Sequence, residues 1–145
     1  MDWIRSSMAI KLKIKILKRN DNMKICVTSQ GDNLDSDVDL RFGRCRYFII
    51  VDTETYEFEA IKNPNVDGMG GVGIQSAQLI ARENVKVVIT GNVGPNAFQT
   101  LQAAGIDIFT GASGCVKEQI EKYNKGEFKA TKTPSVNSRF GVQGN

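Results

Sequence analysis

The stretch Asp67–Pro95 narrows the possible folds more than any other part of the chain. Gly68, Gly70, Gly71 and Gly73 open a helical stretch, which leads into the apolar run Val85–Thr90. That run stops at Gly91-Asn92-Val93-Gly94-Pro95, where a second helix begins. Val85–Thr90 is nearly all β-branched, as expected of a strand covered on both faces. A glycine loop, helix, buried strand, glycine turn and helix in succession put backbone N–H groups and helix starts along one edge of a sheet. A ligand is expected on that edge.

The flanking segments extend this unit. Met23–Ser29 alternates Ile25 and Val27 with Lys24 and Cys26 and reads as a first strand, with Cys26 a buried, inert thiol. Tyr47–Asp52 and Glu54–Lys62 form a hairpin turning at Asp52–Thr55, and Asn63-Pro64-Asn65 ends it. Helix one is predicted over Val72–Asn84, with Ile74, Ala77 and Ala81 facing inward. Helix two covers Pro95–Ala104, with proline in its first turn and Gly105 at its end. Ile106–Thr110 is the last strand, and Gly111–Gly114 leads to helix three over Cys115–Lys125, with Val116, Ile120 and Tyr123 inward. The order βββαβαβα implies an α/β fold with a five-stranded mixed sheet in the order 3-2-1-4-5, strand 2 antiparallel. The loops 30–46, 63–73, 91–95 and 111–115 then emerge together.

Length and composition bound the function. A chain of 145 residues, 41% hydrophobic and 24% charged, suits one globular domain. No apolar run approaches the ~20 residues of a membrane span, and no secretory leader is legible. The net charge of +3 misleads: residues 1–22 hold six basic and two acidic side chains, leaving the remainder at −1. A nucleic-acid-binding domain is therefore not expected. Residues 1–22, in which 10–16 alternate apolar and basic, read as an extension outside the domain; 23–133 are the domain, and 134–145 a loose tail. Three cysteines without a C-x-x-C suit a reducing cytoplasm and supply no self-sufficient metal site. The absence of histidine excludes Ser-His-Asp and Cys-His catalysis within one chain.

Several motifs fail on their own terms. Gly68, Gly70 and Gly73 match the dinucleotide spacing, but Asn63–Asp67 separates them from the preceding strand and no acidic residue closes the next one. Ile74-Gln75 stands where a P-loop needs Lys-Ser/Thr. Asp35, Asp37 and Asp39 resemble a calcium loop, but Leu40 and Arg46 occupy its glycine and glutamate positions, so the aspartates read as a solvated loop. Cys45 is more informative. Arg44 and Arg46 flank it and Arg41 is near, so guanidinium groups would favour a thiolate, the metal-binding form. Cys115, at a helix start, is a second and weaker candidate. A thiolate among arginines that faces glycine-rich N–H groups suits an anionic metal–sulfur cargo. The same edge would also suit a small-anion or nucleotide-binding regulatory module.

R-F-G-R-C-x-Y-F at Arg41–Phe48, with G-G-V-G-I-Q-S-A-Q-L, V-V-I-T-G-N-V-G-P-N-A-F and L-Q-A-A-G-I, resembles the dinitrogenase iron–molybdenum cofactor biosynthesis family, which includes NifX-like proteins and the C-terminal domain of NifB. The resemblance covers about Met23–Lys125. It implies a ribonuclease-H-like, three-layer α/β fold without catalysis of its own. It also implies a cytoplasmic carrier or accessory role for an iron–sulfur or iron–molybdenum cluster precursor, held as labile cargo and exchanged with cluster-assembly proteins. The lack of histidine departs from members that use one as a cofactor ligand. The site expected is Arg41, Gly43, Arg44, Cys45, Gly70, Gly71, Gly73, Gly91, Asn92 and Gly94, with Cys45, and more weakly Cys115, as metal ligands, in a monomer or weak homodimer.

Overall fold

The computed structural model describes residues 24–68 and 70–135. The extension expected over residues 1–22 lies outside them. The element order is β1 (Lys24–Ser29), β2 (Tyr47–Asp52), β3 (Phe58–Lys62), α1 (Val72–Ala81), β4 (Val87–Ile89), α2 (Pro95–Ala103), β5 (Asp107–Phe109) and α3 (Val116–Asn124). The strands form one sheet in the order β3-β2-β1-β4-β5. β2 runs antiparallel to β1 and β3, while β4 runs parallel to β1 and β5. This is the sheet expected from the glycine punctuation.

Alternation along β1 divides the interior. Cys26 joins Phe48, Ile50, Val88 and Ile108 on the face covered by α1 and α2, through Ala77, Ile80, Phe98 and Leu101. Ile25 and Val27 join Ile49, Val51 and Ile89 on the face covered by α3, through Val116 and Ile120. Helices on both faces make three layers. No helix among the described residues is long and apolar enough to cross a membrane.

The departures from expectation have local causes. β3 begins at Phe58 rather than Glu54. The Asp52 carboxylate accepts the N–H groups of Glu54 and Thr55, and Tyr56 takes φ 63°, so the hairpin connection is longer than the sequence suggests. Helix one stops at Ala81, ahead of Asn84 at φ 58°, and buries Val72, Ser76, Ala77 and Ile80; Ile74 and Ala81 are only half-buried. Tyr123 of α3 is likewise half-buried, and Gln119 takes the inward position. The tail expected to be loose from Pro134 is held at Ser135, which hydrogen-bonds to Val93.

Candidate functional site

The four loops expected at one edge are laced together there by backbone hydrogen bonds. Asn92 donates to Leu40 C=O (2.8 Å) and accepts from Phe42 N–H (3.1 Å), tying the arginine loop to the turn after β4. Gly111 N–H donates to Gly91 C=O (2.9 Å), tying that turn to the one after β5. Gly91 is required by close approach: a Cβ there would come 2.7 Å from Leu40 Cα. Gly43 and Gly73 meet backbone to backbone, since a Cβ on Gly43 would lie 3.1 Å from Gly73 Cα. The start of α1 is thereby pressed against the arginine loop. Gly73 also packs on Ala97, so the first turns of α1 and α2 touch.

Asp39, read from sequence as solvated, is buried and organises the arginine loop. Its two carboxylate oxygens accept the N–H groups of Arg41 and Arg46, both at 3.2 Å. The Thr28 hydroxyl donates to Asp39 C=O at 2.7 Å. Asn63 and Ser76 grip the same loop from the other side. Asn63 Nδ2 donates to the carbonyls of Gly43 (3.1 Å) and Cys45 (2.8 Å), and the Ser76 hydroxyl donates to Gly43 C=O (2.8 Å). The sequence assigned no site role to Asp39, Asn63 or Ser76. Only Asn63 carried a local signal, as a short polar side chain directly before a proline.

These anchors fix which side chains face out. Phe42 and Cys45 turn into the core; Arg41 and Arg46 are exposed and Arg44 is half-buried. Cys45 is fully buried, which corrects the expectation of an accessible loop thiolate. Burial pushes its thiol pKa well above the usual range, and the nearby Cys26 and Asp39 push the same way, against a smaller opposing effect of Asn63. The flanking guanidinium groups do not offset burial. Cys26 is raised too, by burial first and by Glu83 second. Both cysteines are therefore protonated thiols at neutral pH. Cys115 is in another layer, as the N-cap of α3, with its Sγ 3.4 Å from Glu118 Oε1. The described residues contain no group of three or more His, Cys, Asp or Glu able to hold a metal ion.

What the edge does bring together is cationic and rich in N–H donors. Arg44 donates through Nη1 to Val66 C=O at 3.5 Å, while its Nε is buried with no acceptor among the described residues. The Arg41 side chain, 43% exposed, lies 3.8 Å from Asp39 and is otherwise turned outward. Gly71, at φ 67°, caps α1, and Gly94 caps α2. Neither helix has a side-chain cap or an acidic residue in its first turn. Among the described residues, no carbonyl from outside these helices accepts their first N–H groups. Gly70 is exposed beside them. Such a surface favours an anion.

Comparison with known proteins bears on the family and the fold. The family profile described as dinitrogenase iron–molybdenum cofactor matches residues 23–126. An uncharacterised protein of Methanocaldococcus jannaschii is 34% identical over 121 residues, covering 81% of this chain and 94% of that protein. The apo form of the orange protein from Desulfovibrio gigas superposes with a TM-score of 0.77 at 36% identity, over 79% of this chain and 98% of that one. A NifB-like protein from Thermotoga gives a TM-score of 0.67 at 35% identity, over 79% and 99% of the two chains.

Proposed function

The chain belongs to the dinitrogenase iron–molybdenum cofactor family, and on that premise we propose that it is a non-enzymatic carrier for an anionic metal–sulfur cluster. The cargo is an iron–sulfur or iron–molybdenum precursor, received from and passed to cluster-assembly proteins in the cytoplasm. It rests on the carboxyl edge of the sheet, between the arginine loop and the starts of α1 and α2. The observation that carries this reading is the buried Nε of Arg44, without an acceptor among the described residues, together with two helix starts that have no side-chain cap. A desolvated cationic donor without an acceptor is costly, and an anion at this edge would relieve that cost. The strand order and the helices on both faces support a ribonuclease-H-like classification of the fold.

The burial of Cys45 bears on how the cargo is held. A protonated, enclosed thiol is a poor ligand, so the cluster brings its own sulfur and is retained by charge and hydrogen bonds. Such binding is labile, as a carrier requires. The test is anaerobic titration of the full chain with tetrathiomolybdate, a preformed metal–sulfur dianion, and in parallel with iron and sulfide. Retention after desalting is read from metal–sulfur charge-transfer absorption. Arg44→Ala should weaken retention about tenfold, roughly the value of one charge-assisted hydrogen bond. Cys45→Ser, assayed where it is folded, should change it less than about twofold, well below the worth of one hydrogen bond. Loss of retention in Cys45→Ser alone would restore thiolate ligation. Binding of inorganic phosphate or a nucleotide without either chromophore would favour the small-anion module instead.

A further inference from the structure

After α3 the chain returns along the free side of β5 and crosses to the turn after β4. Thr131 N–H donates to Ile108 C=O at 2.6 Å, and Thr110 N–H donates to Thr131 Oγ1 at 3.1 Å. Four residues on, Ser135 takes both backbone groups of Val93. Its N–H donates to Val93 C=O at 3.0 Å, and its hydroxyl accepts Val93 N–H at 2.8 Å and donates to the same C=O at 3.2 Å. Val93 is itself 1% exposed, its side chain packed in the layer that holds Phe42, Cys45, Ala97 and Phe98. It immediately precedes Gly94, the N-cap of α2.

We infer that Ser135 is a positioning residue for the cargo-binding edge. It fixes the turn Gly91–Pro95 from outside while the Val93 side chain fixes it from inside, and so sets where the first N–H groups of α2 point. Ser135 touches no cargo in this role. Its contribution passes through Val93, whose backbone would otherwise rely on solvent. Because binding free energies are reciprocal, an anion seated at the start of α2 and the docking of Thr131–Ser135 stabilise each other. This inference rests on the carrier reading for its functional half only.

The experiment uses the full chain and the variants Ser135→Ala and Ser135→Thr, with hydrogen exchange of individual amides and tetrathiomolybdate titration as separate readouts. Ser135→Ala should speed exchange of the Val93 amide about tenfold or more while leaving β1 amides unchanged, as for a local opening. The same variant should weaken tetrathiomolybdate retention about threefold to tenfold, a coupling within the usual range. Ser135→Thr keeps the hydroxyl and should restore both. Unchanged Val93 exchange in Ser135→Ala would overturn the claim that Ser135 fixes the turn. Faster exchange with unchanged retention would overturn the positioning role. If the wild-type chain retains no tetrathiomolybdate, the carrier reading has failed, and the exchange result alone then decides whether Ser135 sets the turn.

Discussion

α1 and α3 both begin at a glycine-bearing turn on the same edge, yet their first N–H groups meet opposite fates. At α3 the β1–β2 loop folds over the helix start. Ser36 C=O accepts Val116 N–H and Leu34 C=O accepts Lys117 N–H, both at 2.9 Å. Glu118 adds a carboxylate in the first turn. At α1 and α2 no side chain caps the helix and no acidic residue stands in the first turn. The start of α3 is satisfied by a neighbouring loop; for those of α1 and α2, no carbonyl outside the helices accepts the first N–H groups among the described residues. A glycine turn before a helix therefore identifies a possible anion site, and the neighbouring loop decides whether the site is real.

The largest way to break this contrast is to remove the anchor of the open side. Asp39→Ala leaves the N–H groups of Arg41 and Arg46 without their buried acceptor and should cost about 2–4 kcal/mol in urea unfolding. The closure over α3 depends on Leu34 and Ser36 and should persist, as their amide protection would report. Gly91→Ala comes next. Its Cβ would overlap Leu40 Cα and should cost about 1–3 kcal/mol by overpacking, visible as a lower thermal midpoint. A loss of similar size per pH unit is expected in alkali. Cys26 and Cys45 both lie under α1 and α2, and both have folded pKa values raised above the ~8.5 of an unfolded cysteine. Their stabilisation is complete below about pH 8.5 and falls above it by about 1.4 kcal/mol per pH unit for each thiol. A Cys26→Ala, Cys45→Ala double variant should lose that slope, as unfolding curves across the range would show. The smallest effect sharpens the contrast from the closed side. Cys115→Ser offers α3 the side-chain cap it lacks and should raise stability by about 0.5 kcal/mol, without changing tetrathiomolybdate retention.

The sequence carried the sheet well because its signals were local. β-branched Val87–Ile89 running into the glycine turn at Gly91, and the alternation of β1, left little freedom in strand order. The edge was legible as a meeting of loops for the same reason. The state of Cys45 was not, because its inward direction is set by side-chain-to-backbone bonds from Asp39 within the loop and from Asn63, which is far along the chain from the carbonyls it holds. Three arginines around a cysteine suggest charge acting on the thiol, whereas anchoring at Asp39 sends the arginines one way and Phe42 and Cys45 the other. The apolar pair Phe42 and Cys45, interleaved with Arg41, Arg44 and Arg46, was the one available hint. The closed start of α3 was equally hidden, since carbonyl caps carry no side-chain signature.

The burial of two thiols in one layer, with the third half-exposed on another, also gives the molecule an internal clock. A small alkylating reagent should modify Cys115 in the native protein at once. Cys26 and Cys45 should react only as often as the sheet opens, at a rate set by the opening equilibrium. Their labelling would time the opening of the central strand in a mixture, without purification and without a chromophore. Any cargo that slows it would be reporting its own occupancy of the folded state.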